Sequence, residues 1–132
     1  MDRAYGLDVP ATFEETCDPG RTALSVYDMQ VGIVSQLASG RGVIARVREV
    51  LEAARHGGFR VFFTRHMSLP KEVAGISQLR TALAWQHVDR VAEVKPAFLR
   101  DSPAFRIIPE LVPASTEVVF DKSRCRRSRV RR

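Results

Sequence analysis

Two short apolar segments flank one amphipathic stretch, and that order narrows the fold more than any other feature of the chain. Residues 23–28, Ala-Leu-Ser-Val-Tyr-Asp, read as a short strand whose acid falls where the apolar run breaks. From Gly40 to Gly58 the period changes. Val43, Ile44, Val47, Val50, Leu51 and Ala54 recur at three- and four-residue steps, and Arg46, Arg48, Glu49, Glu52 and Arg55 fill the opposite face. That spacing predicts an amphipathic helix, stopped by Gly57 and Gly58. Phe59-Arg60-Val61-Phe62-Phe63-Thr64 follows at once, and its unbroken apolar run suits a strand covered on both faces. Strand, helix and strand in succession form a βαβ unit, which requires a parallel sheet. Glu117-Val118-Val119-Phe120-Asp121 reads as a third strand, with Lys122 just beyond it. The fold class expected is therefore α/β, a Rossmann-like parallel sheet in three layers with helices on both faces.

The remaining segments are less regular. Residues 1–21 form a polar lead-in carrying Pro10 and Pro19, with room for one short helix. A loop is expected over 65–70 and a partly helical stretch over 71–87, weakened by Gly75. Pro96, Pro103, Pro109 and Pro113 leave room only for short helices such as Ala104–Ile108.

A length of 132 residues is enough for one domain with a core of its own. The net charge of +6 first suggests a nucleic-acid partner. Its distribution argues against one. Residues 122–132 carry seven Lys or Arg and no acid, which leaves the rest with 14 basic and 15 acidic residues. A near-neutral body with a basic tail over 123–132 gives no reason to expect specific nucleic-acid binding. No apolar run reaches membrane-spanning length, and no secretory leader pattern opens the chain. No membrane partner and a cytoplasmic location are expected. Two cysteines far apart, Cys17 and Cys125, make neither a disulfide framework nor a close metal-ligand pair.

In open α/β sheets, ligands collect at the C-terminal ends of the strands. Asp28, His66 and Lys122 occupy such ends. A carboxylate facing a lysine can hold or move a proton and stabilise developing charge. Each residue also has a plainer reading: Asp28 as a helix cap or a partner for loop amides, His66 as a loop residue, Lys122 as a solvated cation. Trp85 and Leu83 read as packing residues and Cys17 as incidental.

At these three positions the chain resembles the isochorismatase-like cysteine hydrolases. Thr22-Ala23-Leu24-Ser25-Val26-Tyr27-Asp28-Met29-Gln30 looks like their opening strand. Arg60-Val61-Phe62-Phe63-Thr64-Arg65-His66 is similar to their second strand, and Val118-Val119-Phe120-Asp121-Lys122 to their third strand and its lysine. The resemblance covers residues 20–122, which makes 22–122 a partial domain of that family. It implies that Asp28 is a base toward a cysteine nucleophile and that Lys122 stabilises the charged groups around it. Gln30 and His66 become candidates for substrate contact. It implies a small-molecule substrate, hydrolysis of C–N bonds in small amides or related compounds, and no cofactor. Members similar to nicotinamidase carry an Asp-x-His metal cluster after the second strand. Here that place reads Arg65-His66-Met67-Ser68, so no metal is expected.

The family places its nucleophile well beyond the lysine and has a larger sheet than three strands. This chain ends ten residues after Lys122, and Cys125 is only three residues from it. The expectation is a sheet and site truncated before the nucleophile, with little or no activity. One allowed coding of Ser123–Arg132, read one base out of frame, gives Ile-Thr-Met-Ser-Ala-Phe-Glu-Gly-Thr-Pro, similar to what the family places after its lysine. The tail then reads as a frameshift product. Two other readings compete: a non-enzymatic α/β protein that binds or forms homo-oligomers, and nonspecific nucleic-acid binding through the tail.

Overall fold

The computed structural model describes residues 1–123. Its centre is a three-stranded parallel sheet in the order β3 (Ala23–Tyr27), β4 (Arg60–His66), β5 (Val118–Lys122). In chain order β1 (Asp2–Ala4), β2 (Leu7–Val9) and α1 (Phe13–Thr16) come first. After β3 come α2 (Val31–Val34) and α3 (Gly40–His56), and α4 (Ile76–Gln86) lies between β4 and β5. Single 3-10 turns occupy Val91–Glu93, Pro103–Phe105 and Pro109–Leu111. The α/β expectation holds, with a parallel sheet flanked by helices. The tail beyond Ser123, including Cys125, lies outside the described residues.

The register explains the core. Val26 pairs with Phe63, and Phe63 with Val119, so one face of the sheet presents a continuous apolar row. Helix α3 lies on that face through Ile44, Val47, Leu51 and Ala54. Val34, Ile108 and Leu111 close the end of the cluster. Val50 belongs to the apolar spacing but sits at its margin, half exposed. The polar side of α3 carries exposed Arg46–Glu49 and Arg48–Glu52 ion pairs. Its end is tied to the start of β5 by Arg55, whose guanidinium donates to both carboxylate oxygens of Glu117. The opposite face is more open. Phe62 meets Phe120 edge-on at 5.8 Å between ring centroids, while Val118 and Phe120 stay half exposed.

Three local differences from the sequence expectation have physical causes. The lead-in holds the short helix α1 but also an antiparallel hairpin of β1 and β2. Tyr5 and Gly6 both have positive φ, 53° and 78°, as the two-residue turn matching strand twist requires. The strands are three residues each and mostly exposed, so no buried alternation marks them. Strand β4 continues through Arg65 and His66, where a loop was expected, because β5 runs beside it to a last rung of His66 with Lys122. Gly75, read as weakening a helix, precedes one: it is the N-cap of α4. Among the described residues no helix is long and apolar enough to cross a membrane.

Leu51 is 1% exposed and Val50 is 54% exposed on the same helix. Leu51→Ala should lower the unfolding free energy by about 2–5 kcal/mol. Val50→Ala should cost about 0.5 kcal/mol or less. Urea denaturation of the two variants checks the assignment of the buried face, and equal losses would contradict it.

Candidate active site

The site lies where the three strands end. Strand β3 stops at Tyr27 and the chain turns immediately: Asp28 has φ 51°, in the left-handed region that aspartate tolerates better than most residues. Its N–H still donates to the Thr64 carbonyl at 3.1 Å, which pins the turn to β4. The Asp28 side chain is turned inward and nearly buried. Its Oδ1 accepts the Thr64 hydroxyl at 2.7 Å, and its Oδ2 accepts Lys122 Nζ at 2.5 Å. Lys122 comes from the last residue of β5, and its ammonium lies 4.2 Å from the centroid of the Tyr27 ring.

Burial works against the charge of Lys122, but the hydrogen bond it donates to Asp28 and the contact with Tyr27 outweigh it and raise its pKa above the ordinary 10.5. Lys122 is therefore an ammonium at neutral pH. The neighbouring Asp121 alternates to the opposite face of the strand. There Arg65 Nε reaches it at 2.7 Å and Arg100 at 3.7 Å, with the Arg65 guanidinium 4.3 Å over the Phe105 ring. Asp121 is thus matched by its own cations.

His66, level with Lys122 in the register, is half-buried between the rings of Phe98 and Trp85, at centroid distances of 5.4 and 6.2 Å. Burial lowers its pKa first and the charge of Lys122 lowers it further, while Asp28 acts in the opposite sense. Its neutral imidazole is the favoured form. Among the described residues, no three His, Cys, Asp or Glu side chains converge as metal ligands would.

Asp28, His66 and Lys122, singled out from separate strand ends, are brought together. Gln30 stands beside them but has no exposed surface, and its carboxamide is bonded to backbone groups of His66 and Phe105. Cys17 is exposed in the lead-in before β3. It is separated from Asp28 by the whole strand, about 16 Å for five residues. Sequence reading overlooked Thr64 and Tyr27. Thr64 is the first hydroxyl at the end of an apolar run, and Tyr27 directly precedes the acid, so each carried a weak local signal. Phe98 comes from a Pro-rich segment with no periodicity and had none. Trp85 was read as packing, and what it packs against is His66. The assembled group offers a carboxylate able to take a proton and a cation fixed beside the place where charge would develop.

The isochorismatase domain profile matches residues 22–126. Among solved structures, a cysteine hydrolase from Pseudomonas syringae pv. phaseolicola 1448A aligns with a TM-score of 0.61 and 24% identity over 82% of this chain and 49% of its own. An isochorismatase family protein from Desulfovibrio vulgaris subsp. vulgaris str. Hildenborough gives 0.56 and 23% over 76% of this chain and 51% of its own. An isochorismatase from Pseudomonas putida KT2440 gives 0.52 and 22% over 76% of this chain and 41% of its own. At these identities the likeness is one of fold. The chain spans about half the length of these structures. No curated protein matches it.

The electrostatic arrangement around His66 predicts opposite shifts in two variants. The wild-type imidazole should titrate below 6.5 in an NMR pH series. Lys122→Met should raise the midpoint, and Asp28→Asn should lower it further. Because the unfolded chain then binds more protons just below pH 6.5, the His66 contribution to stability falls as pH drops from 6.5 through its folded value. Shifts of the same sign in both variants would contradict the arrangement.

Proposed function

Because the chain belongs to the isochorismatase family, we propose that Asp28 and Lys122 are the base and the charge-stabilising half of a cysteine hydrolase site acting on C–N bonds of small amides. The observation that carries this reading is the Asp28–Lys122 contact at 2.5 Å, with Thr64 holding the second carboxylate oxygen. In the proposed reaction, Asp28 accepts the proton of an attacking thiol as sulfur bonds to the carbonyl carbon. The proton then passes to the leaving amine as the C–N bond breaks, and water cleaves the resulting thioester. Lys122 lies against the carboxylate and offsets charge near the reacting carbon. The neutral His66 and its aromatic neighbours give the substrate an apolar wall at the strand ends.

The thiol is not supplied by the described residues. Their single cysteine, Cys17, lies at the far end of β3. Cys125, outside the described residues, is three positions after Lys122, where the family pattern does not put its nucleophile. We propose that the described residues alone, with no thiol at the site, give little or no turnover. We also propose a cytoplasmic setting, which an exposed free thiol at Cys17 fits, since thiols stay reduced there.

An ammonia-release assay on the purified chain, with nicotinamide and simple aliphatic amides, is expected to give the blank rate. Turnover that disappears in Asp28→Ala but persists in Cys125→Ala would show that the attacking group has been wrongly assigned.

A further inference from the structure

We infer that Gln30 is a positioning residue whose carboxamide takes the place of two backbone groups, freeing Asp28 to leave the strand and face Lys122. In a regular parallel ladder, the N–H and C=O of one residue bond to the two residues flanking its partner on the next strand. The β3–β4 ladder follows this rule up to Tyr27 and Thr64, and the Asp28 N–H donates to the Thr64 carbonyl. The next rung would send the His66 N–H to the Asp28 carbonyl and the Gln30 N–H to the His66 carbonyl. Neither bond forms. Asp28 turns with positive φ, and the Gln30 N–H donates to the Asp28 carbonyl at 2.8 Å, closing a tight turn.

That turn would orphan both backbone groups of His66 on this side of β4. Unpaired buried backbone groups are costly, and native structures rarely keep them. The Gln30 side chain meets the need. Its Oε1 accepts the His66 N–H at 2.6 Å, and its Nε2 donates to the His66 carbonyl at 3.0 Å. A carboxamide presents the same acceptor and donor as a peptide group, so it completes the rung that the backbone abandoned. Its second Nε2 proton goes to the Phe105 carbonyl at 2.8 Å, which fixes the 3-10 turn beside Arg65. The side chain has no exposed surface, so its polar atoms are committed to the fold and do not contact substrate.

Glutamate or leucine would nearly match its volume but not its bonding. A leucine offers neither group. An ionised carboxylate can accept from His66 N–H, yet it has no proton for the carbonyls of His66 and Phe105. These bonds support the placement of Asp28 alongside its contacts with Thr64 and Lys122, and its catalytic meaning rests on the function proposed above.

Amide hydrogen exchange and NMR titration test the inference without requiring turnover, so a blank assay and a positional failure remain distinguishable. In the wild-type chain, the His66 backbone N–H and the Gln30 side-chain N–H protons should exchange at least about 100-fold more slowly than exposed amides. Exchange of either at the exposed rate would overturn the inference, with no variant needed. In Gln30→Leu, His66 N–H protection should fall by about 10- to 100-fold while Val61 and Phe63 keep theirs. The His66 imidazole should then titrate closer to 6.5, as its ring is released from burial and from Lys122. Unchanged His66 protection in Gln30→Leu, or a loss shared equally by Val61 and Phe63 with no shift of the imidazole titration, would overturn it.

Discussion

Asp28 and Lys122 stand 94 residues apart in the chain and 2.5 Å apart in space, and the middle strand brings them together. Strand β4 pairs with β3 on one side and with β5 on the other, both in parallel register. Parallel register aligns the strand ends, so the acid leaving β3 and the lysine closing β5 reach the same edge of the sheet. The pair then reinforces the register that produced it. Neither charge is well solvated, and each would be costly to bury without the other.

The ion pair does not act alone. Thr64 occupies the carboxylate oxygen that Lys122 leaves, and Tyr27 offers the ammonium an aromatic face. Asp121, adjacent to Lys122, is drawn to the opposite face by Arg65, so it does not compete for the lysine. The same end of the sheet therefore separates two acid–base partnerships by the alternation of a strand. The break in the ladder at Asp28 is the price of aiming its side chain inward, and Gln30 is the residue that makes such a break tolerable.

Much of this was legible in the sequence. The period of α3 and the apolar runs of β3, β4 and β5 revealed the sheet because their cores depend on local spacing. Asp28 and Lys122 were legible because a charged residue at the end of an apolar strand has few places to go. The hairpin at Tyr5 and Gly6 was not, since its strands bury little and leave no periodic signature. Gln30 was visible as a candidate but not in its part. Its partners, His66 and Phe105, are 36 and 75 residues away, and a buried carboxamide bonded to backbone leaves no pattern in the chain around it. The resemblance made it a candidate for substrate contact; burial and bonding point to positioning.

The most direct measurement is a double-mutant cycle on the pair itself. Asp28→Asn, Lys122→Met and the double variant would be compared with the wild type by urea denaturation at neutral pH. Direct contact predicts a coupling free energy of about 1–3 kcal/mol, with the double variant less damaged than the sum of the singles. Additive losses, with coupling near zero, would show that the two charges do not meet and would contradict the site built on them.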